Sequence, residues 1–105
     1  MLISYSTIVS QKTIHQNAIE HGWWDKHREI PELLVLIHSE VSEALEAYRN
    51  KIPDGKKGCL GEELADIVIR VFDTAESQGI DICEEVLKKH KVNVMRPYRH
   101  GNKTC

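Results

Sequence analysis

Two pairs of acidic residues could do chemistry together, because the members of each pair are three positions apart. Glu40 and Glu43 form the first pair, and Glu63 and Asp66 form the second after nineteen intervening residues. Residues three apart lie on the same side of a helix. At about 100° per residue, both pairs fall within or beside an apolar helix face. We therefore expect four carboxylates to point toward a helical bundle rather than toward water.

Carboxylates in such positions need a compensating partner, because burying a carboxylate is costly and two neighbours also repel each other. Mg²⁺, with Mn²⁺ as the alternative, is a suitable partner because it prefers oxygen ligands and completes its coordination with water and phosphate oxygens. A di-iron site is excluded, because it requires Glu-x-x-His pairs and this chain has none. The other interpretation is that the carboxylates form an ordinary solvated acidic helix face. A single pair with this spacing is usually of that kind, but two such pairs in one chain are less often so.

Four helices are predicted to hold these carboxylates. Helical periodicity covers residues 5–21, 31–49, 60–77 and 81–96, and the breaks between them contain most of the glycine and proline. Asp81 and Glu84 have the spacing of a helix N-cap and its capping-box partner. No strand-like alternation is long enough to compete. The sequence predicts an all-α fold: an antiparallel bundle of about four helices, formed as a single domain over residues 1–105.

The second and third predicted helices each have a broad apolar arc. The residues expected to face the bundle are Leu33, Leu36, Ile37, Val41, Ala44, Ala47 and Tyr48 on the second helix and Leu64, Ile67, Val68, Val71 and Ala75 on the third. Ile69 and Phe72 lie on another side of the third helix, which is therefore apolar nearly all round and needs two packing partners. We expect a homodimer or a homotetramer.

Length and composition limit the function classes. The chain has 105 residues, of which 41% are hydrophobic and 29% charged, as is typical of one folded domain. The formal net charge of -2 lacks the basic excess of a protein that binds a nucleic-acid polymer. No apolar run reaches the roughly 20 residues of a membrane helix, and no signal-peptide pattern is present. We expect a cytoplasmic protein without membrane contact.

The two acidic pairs resemble the ExxE…ExxD signature of the all-α nucleoside triphosphate pyrophosphohydrolases, in particular their small MazG-like branch. Further similar segments are residues 21–24 (HGWW), 36–49, 62–66 and 93–103. The resemblance implies metal-dependent hydrolysis of a nucleoside triphosphate to the monophosphate and pyrophosphate. It also implies a helical bundle that assembles as dimers or dimers of dimers. The catalytic residues and metal ligands would be Glu40, Glu43, Glu63 and Asp66.

Five further residues are candidate substrate contacts. Lys89, Asn93 and Arg96 are spaced to share one helix face, and the family's K…N…R pattern falls on them. We expect them to bind triphosphate oxygens; the alternative is a solvated helix end. Trp23 and Trp24 lie in a predicted loop. Either one of them stacks on a nucleobase, or both form a hydrophobic plug over the end of the bundle.

Two functions from different classes remain open. The leading hypothesis is a Mg²⁺-dependent pyrophosphohydrolase that clears or remodels nucleotide pools. The alternative is a catalytically silent helical module that binds a nucleotide or a partner protein and uses the acidic cluster for regulation. The resemblance implies that the basic tail, Arg96, Arg99, His100 and Lys103, contacts phosphate or another subunit; the alternative is an ordinary solvated basic end.

Overall fold

The structure, a computed structural model, describes residues 9–98 and contains four helices in that range. They are α1 (Gln11–Glu20), α2 (Ile30–Arg49), α3 (Leu60–Ser77) and α4 (Ile82–Val94). No strand occurs between residues 9 and 98, so the predicted all-α class is confirmed. None of the helices in this range is both long and apolar enough to cross a membrane. The predicted bounds of α2, α3 and α4 agree with the structure to within about two residues.

Helix α1 begins later than expected, because Ser10 caps it. The Ser10 hydroxyl accepts a hydrogen bond from the Thr13 N–H at 3.2 Å, and the Thr13 hydroxyl accepts one from the Ser10 N–H at 3.0 Å. This reciprocal capping box fixes the start of the helix at Gln11. The helix was expected to start at residue 5. Residues 9 and 10 are not helical, so the expectation is wrong for them, and residues 5–8 lie outside the described range.

A left-handed glycine ends α1 and sets the direction of the tryptophan loop. Gly22 has a φ of 86°. This conformation allows the Trp23 N–H to bond to the Ala18 carbonyl at 3.0 Å, which is the closing hydrogen bond of a Schellman motif. The two tryptophans consequently leave the helix in a defined turn.

Helix α3 is the central element of the packing. It contacts both α1 and α2 extensively and makes a smaller contact with α4. The best-buried apolar residues of the α2–α3 pair are Leu33, Ala44, Ala47 and Ala75. Because α2 and α3 carry the acidic pairs, their packing brings those pairs toward each other.

Four residues that were expected to face the bundle are exposed instead. Val41, Leu64 and Val68 are about half exposed, and Tyr48 is 70% exposed. The expectation is wrong for these residues because α4 does not cover the open side of α2 and α3. Helix α4 contains no buried residue and makes only a small contact with α3. A single chain therefore leaves a large apolar surface open.

Candidate functional site

Three of the four predicted carboxylates meet between α2 and α3. Glu40, Glu43 and Glu63 each offer a carboxylate oxygen within 4.8 Å of the others. Glu40 and Glu43 are one helical turn apart on α2, and the packing of α2 on α3 places Glu63 opposite them. Asp66 does not belong to this group, but its charge acts on Glu40 and Glu63, so it lies beside them. We refer to Glu40, Glu43 and Glu63 as the carboxylate cluster.

The environment raises the pKa values of two carboxyl groups in this cluster. Partial burial is the main cause for Glu40, followed by the close approach of the Glu43 side chain and the charges of Glu43 and Asp66, while Arg70 acts in the opposite direction. Partial burial also raises the pKa of Glu63, and the charges of Asp66 and Glu43 add to the effect. The nearby cations thus do not fully balance the negative charge of the cluster.

One oxygen of the cluster has no hydrogen-bond partner. Oε2 of Glu63 is buried, and no donor among residues 9–98 reaches it. Leaving a buried polar atom unpaired costs about 1–3 kcal/mol. The cluster therefore combines unbalanced charge with an unsatisfied oxygen, and a cation would correct both defects. Its all-oxygen donor set is of the kind that Mg²⁺ and Mn²⁺ prefer.

We predict that Glu40→Gln stabilises the metal-free protein increasingly as the pH rises. The raised pKa of Glu40 means that the folded state holds its proton more tightly than the unfolded state does. Below about pH 4 the protonated carboxyl resembles the neutral amide, so the two proteins should have similar stability. As the pH rises through the raised pKa, wild type loses stability and the variant does not.

Thermal melts between about pH 4 and pH 8 in a chelator test this prediction. Glu46→Gln is the control, because Glu46 lies on the same helix with its side chain 62% exposed. The difference between the melting temperatures of Glu40→Gln and wild type should increase with pH. The difference between Glu46→Gln and wild type should stay small at every pH. A gap for Glu40→Gln that does not change with pH would contradict the inferred electrostatics.

A cleft opens on the side of α3 that faces α1. It has a volume of about 770 Å³ and lies between α1, the tryptophan loop and α3. Ile14, Ala18 and Ile69 supply apolar wall, and Arg70 supplies charge. Arg70 follows Asp66 by one helical turn, which is a rise of about 6 Å, and its charge lowers the pKa of Glu40. No carboxylate of the cluster lines the cleft, and Arg70 is the residue that links the two, since it lines the cleft and acts electrostatically on Glu40.

Trp23 lines this cleft together with two guanidinium groups. The Cζ atoms of Arg28 and Arg70 lie 4.2 Å and 3.7 Å from the centroid of its ring. Arg28 is further fixed by hydrogen bonds from its Nε to the Trp23 carbonyl at 2.9 Å and from its Nη1 to Glu32 at 2.5 Å. Cation–π contacts of this kind hold both the indole and the arginines in place. Stacking of Trp23 on a base stays a prediction.

Trp24 has a different environment, centred on the buried carboxylate of Asp73. The Trp24 Nε1 donates to Asp73 Oδ1 at 3.0 Å, and the His15 Nδ1 lies 2.6 Å from the same oxygen. Arg70 Nη1 donates to Asp73 Oδ2 at 3.3 Å. Asp73 is only 1% exposed. These contacts tie α1, the loop and α3 together, which favours the plug interpretation for Trp24.

Sequence reasoning missed Asp73 and its partners His15 and Arg70. The available signal was the position of Asp73, seven residues after Asp66 and therefore on the same face of α3. A lone carboxylate on the packed face of a helix requires buried donors. Nothing local identifies His15 as one of them, because it lies 58 residues away along the chain.

The predicted contacts on α4 do not lie at the cleft of their own chain. Lys89, Asn93 and Arg96 are exposed. In the described part of the chain, none of the three lines the cleft or belongs to the carboxylate cluster. Their contact with a substrate stays a prediction. The predicted tail contacts lie outside the described residues: Arg99, His100 and Lys103.

Comparisons with known proteins do not identify a family. No protein-family model, no curated protein and no solved structure matches this chain. The resemblance to the MazG-like pyrophosphohydrolases therefore stays a prediction.

Proposed function

We propose that this chain is a divalent-cation-dependent nucleoside triphosphate pyrophosphohydrolase. The reaction adds water to a nucleoside triphosphate and releases the nucleoside monophosphate and pyrophosphate. The observation that carries the proposal is the convergence of Glu40, Glu43 and Glu63 within 4.8 Å, from two helices. The reaction type comes from the resemblance of the two acidic pairs to the ExxE…ExxD signature.

The chemistry of the cluster supports a divalent cation as the cofactor. Glu40, Glu43 and Glu63 supply hard oxygen ligands, and we propose Asp66 as the fourth ligand on the α3 side. The unpaired Glu63 oxygen and the raised pKa values of Glu40 and Glu63 both indicate that a positive charge is needed there. Mg²⁺, or Mn²⁺ in its place, would screen the triphosphate and polarise the attacked phosphorus.

Residues of the chain would activate the water and bind the nucleoside. One carboxylate of the cluster orients the attacking water and accepts its proton. The cleft holds the nucleoside, because the apolar wall formed by Ile14, Ala18 and Ile69 suits the face of a flat base. Arg70 lines the cleft and its charge acts on Glu40, so we propose that a bound nucleoside directs its phosphates past Arg70 toward the carboxylates.

Product analysis tests this proposal. The protein is incubated with standard ribo- and deoxyribonucleoside triphosphates, with Mg²⁺ or with a chelator, and the products are separated by ion exchange. We expect equimolar monophosphate and pyrophosphate with the metal and none with the chelator. Release of the diphosphate and inorganic phosphate would contradict the proposal. Nucleotide binding without any turnover would favour the catalytically silent module.

A second copy of the chain is the proposed partner for the open apolar surface. Within residues 9–98, several large apolar side chains are exposed on each of three helices, α2, α3 and α4. A stable interface removes about 800 Å² from each partner and is apolar at its centre. Apolar residues on α2, α3 and α4 contribute to this surface, among them Leu45, Val68 and Leu87.

We predict that the protein is a dimer or tetramer in solution. Light scattering at micromolar concentration should give a mass of at least about 24 kDa, twice that of the 12.1 kDa chain. Leu87→Gln should lower the mass or weaken the assembly, because it removes apolar area from α4. Lys88→Gln, at the adjacent exposed position, is the matched control. A stable 12.1 kDa species would contradict the prediction.

A further inference from the structure

We propose that Arg70 selects the nucleobase, favouring bases that present a carbonyl oxygen over isosteric bases that present an amino group at the same position. This inference rests on the proposed function and names the substrate class of the cleft. The favoured class comprises nucleotides of guanine, hypoxanthine, uracil and thymine. The disfavoured class comprises nucleotides of adenine and cytosine, whose exocyclic amino groups are donors.

The position of Arg70 gives it access to a ligand in the cleft. Its side chain is 18% exposed and lines the cleft, and the guanidinium lies over the ring of Trp23. It also lies close enough to the cluster for its charge to act on Glu40. A nucleotide with its phosphates at the cluster and its base in the cleft would therefore pass by Arg70.

The polar groups around Arg70 that lack a hydrogen-bond partner within residues 9–98 are mainly donors. Guanidinium and indole N–H groups donate and do not accept, which describes Arg28, Arg70 and Trp23. The Nε1 of Trp23 and the Nε of Arg70 have no acceptor among residues 9–98. The carboxylate of Asp73 is an acceptor, but both of its oxygens already receive hydrogen bonds and it is 1% exposed.

The remaining polar side chains of the cleft do not reverse this bias. Asn17 carries both a donor and an acceptor, so its amide can serve either class of base. The Thr13 hydroxyl is engaged in the capping box. The His21 Nδ1 donates to the Asn17 carbonyl at 2.8 Å, which leaves the His21 Nε2 to face solvent at the exposed edge of the cleft, away from the less exposed Arg70. A base with a carbonyl oxygen satisfies the Arg70 donors, whereas an amino group leaves them unpaired.

Asp73 makes this selection effective because it holds Arg70 in place. The hydrogen bond between Arg70 Nη1 and Asp73, together with the contact over Trp23, restricts the guanidinium before a ligand arrives. A donor that is already oriented loses little conformational entropy on binding. A site built around oriented donors also rejects a ligand that cannot accept from them. Asp73 is thus a positioning residue for Arg70.

Two isosteric nucleotide pairs test the proposal. The deoxyinosine and deoxyadenosine triphosphates differ mainly by oxygen or an amino group at the purine 6-position, and dUTP and dCTP differ in the same way at the pyrimidine 4-position. We expect wild type to favour the oxo member of each pair by at least about tenfold in kcat/KM. Arg70→Gln should reduce both ratios to below about threefold, because glutamine both donates and accepts.

Arg49→Gln is the matched control, since Arg49 is 63% exposed on α2 and does not line the cleft. It should retain the wild-type ratios. If Arg70→Gln does not fold, Arg70→Lys serves instead, because lysine keeps the charge and loses the planar fork. Equal kcat/KM values within each pair for wild type, or unchanged ratios in the folded Arg70 variant, would overturn the proposal.

The failure of the proposed function has a different signature. If none of the four nucleotides is hydrolysed, the same ratios are measured as dissociation constants by calorimetry with wild type, Arg70→Gln and Arg49→Gln. Oxo selectivity in binding without turnover would support the role of Arg70 and refute the enzyme. Turnover without oxo selectivity would support the enzyme and refute the role of Arg70.

Discussion

Glu43→Gln is expected to lower the kcat for pyrophosphate release by at least about a thousandfold. The carboxylate of Glu43 is the exposed member of the cluster and lies within 4.8 Å of ligand atoms of Glu40 and Glu63. Glutamine keeps the size of the side chain but loses the charge, so cation affinity and the screening of the triphosphate should both fall. Folding should not suffer, because the change removes repulsion with Glu40.

The matched control is Glu46→Gln, one turn further along α2. Its side chain is 62% exposed and lies 3.7 Å from Arg49 rather than in the cluster. Its kcat should stay within about twofold of wild type, because exposed ion pairs contribute little. Circular dichroism of both variants checks that helix content is retained. Near-normal turnover in Glu43→Gln would show that the cluster does not carry the reaction.

The largest loss of stability is expected from Asp73→Asn. This change should lower the free energy of unfolding by about 3 kcal/mol, as measured by urea denaturation at fixed protein concentration. The carboxylate is buried and accepts from Trp24, His15 and Arg70. An asparagine amide has a single acceptor atom and turns a donor toward one of these partners, so at least one hydrogen bond is lost and the cation of Arg70 loses its counter-charge.

Asp54→Asn makes the same chemical change on the surface. Asp54 is exposed in the loop between α2 and α3, and its replacement should change the free energy of unfolding by less than about 0.5 kcal/mol. The comparison separates loss of the buried network from the general effect of removing one negative charge. Equal losses in the two variants would refute the structural role given to Asp73.

The sequence predicted the helices well because their boundaries are set locally. Asp81 accepts a hydrogen bond from the Glu84 N–H at 3.1 Å and caps α4, as the spacing of these residues indicated. Gly22 ends α1 through a positive φ that glycine adopts readily. The acidic pairs were also readable, because a spacing of three fixes the helix face without knowledge of the partner helix.

The rest of the site depends on contacts between distant segments. Trp24 and His15 reach Asp73 from 49 and 58 residues away, and periodicity contains no information about such pairs. The exposure of Tyr48 and Leu64 was mispredicted for a related reason. An apolar arc shows that a helix needs covering, but not whether its own chain or another chain covers it.

Manganese binding followed by electron paramagnetic resonance tests the central claim most directly, since it asks whether the cluster holds a divalent cation. We predict saturable Mn²⁺ binding by wild type that Mg²⁺ displaces. The affinity should be at least about tenfold weaker in Glu40→Gln, Glu43→Gln and Glu63→Gln, and unchanged in Glu46→Gln. Equal Mn²⁺ affinity in all five proteins, or no saturable binding by wild type at millimolar metal, would contradict the account.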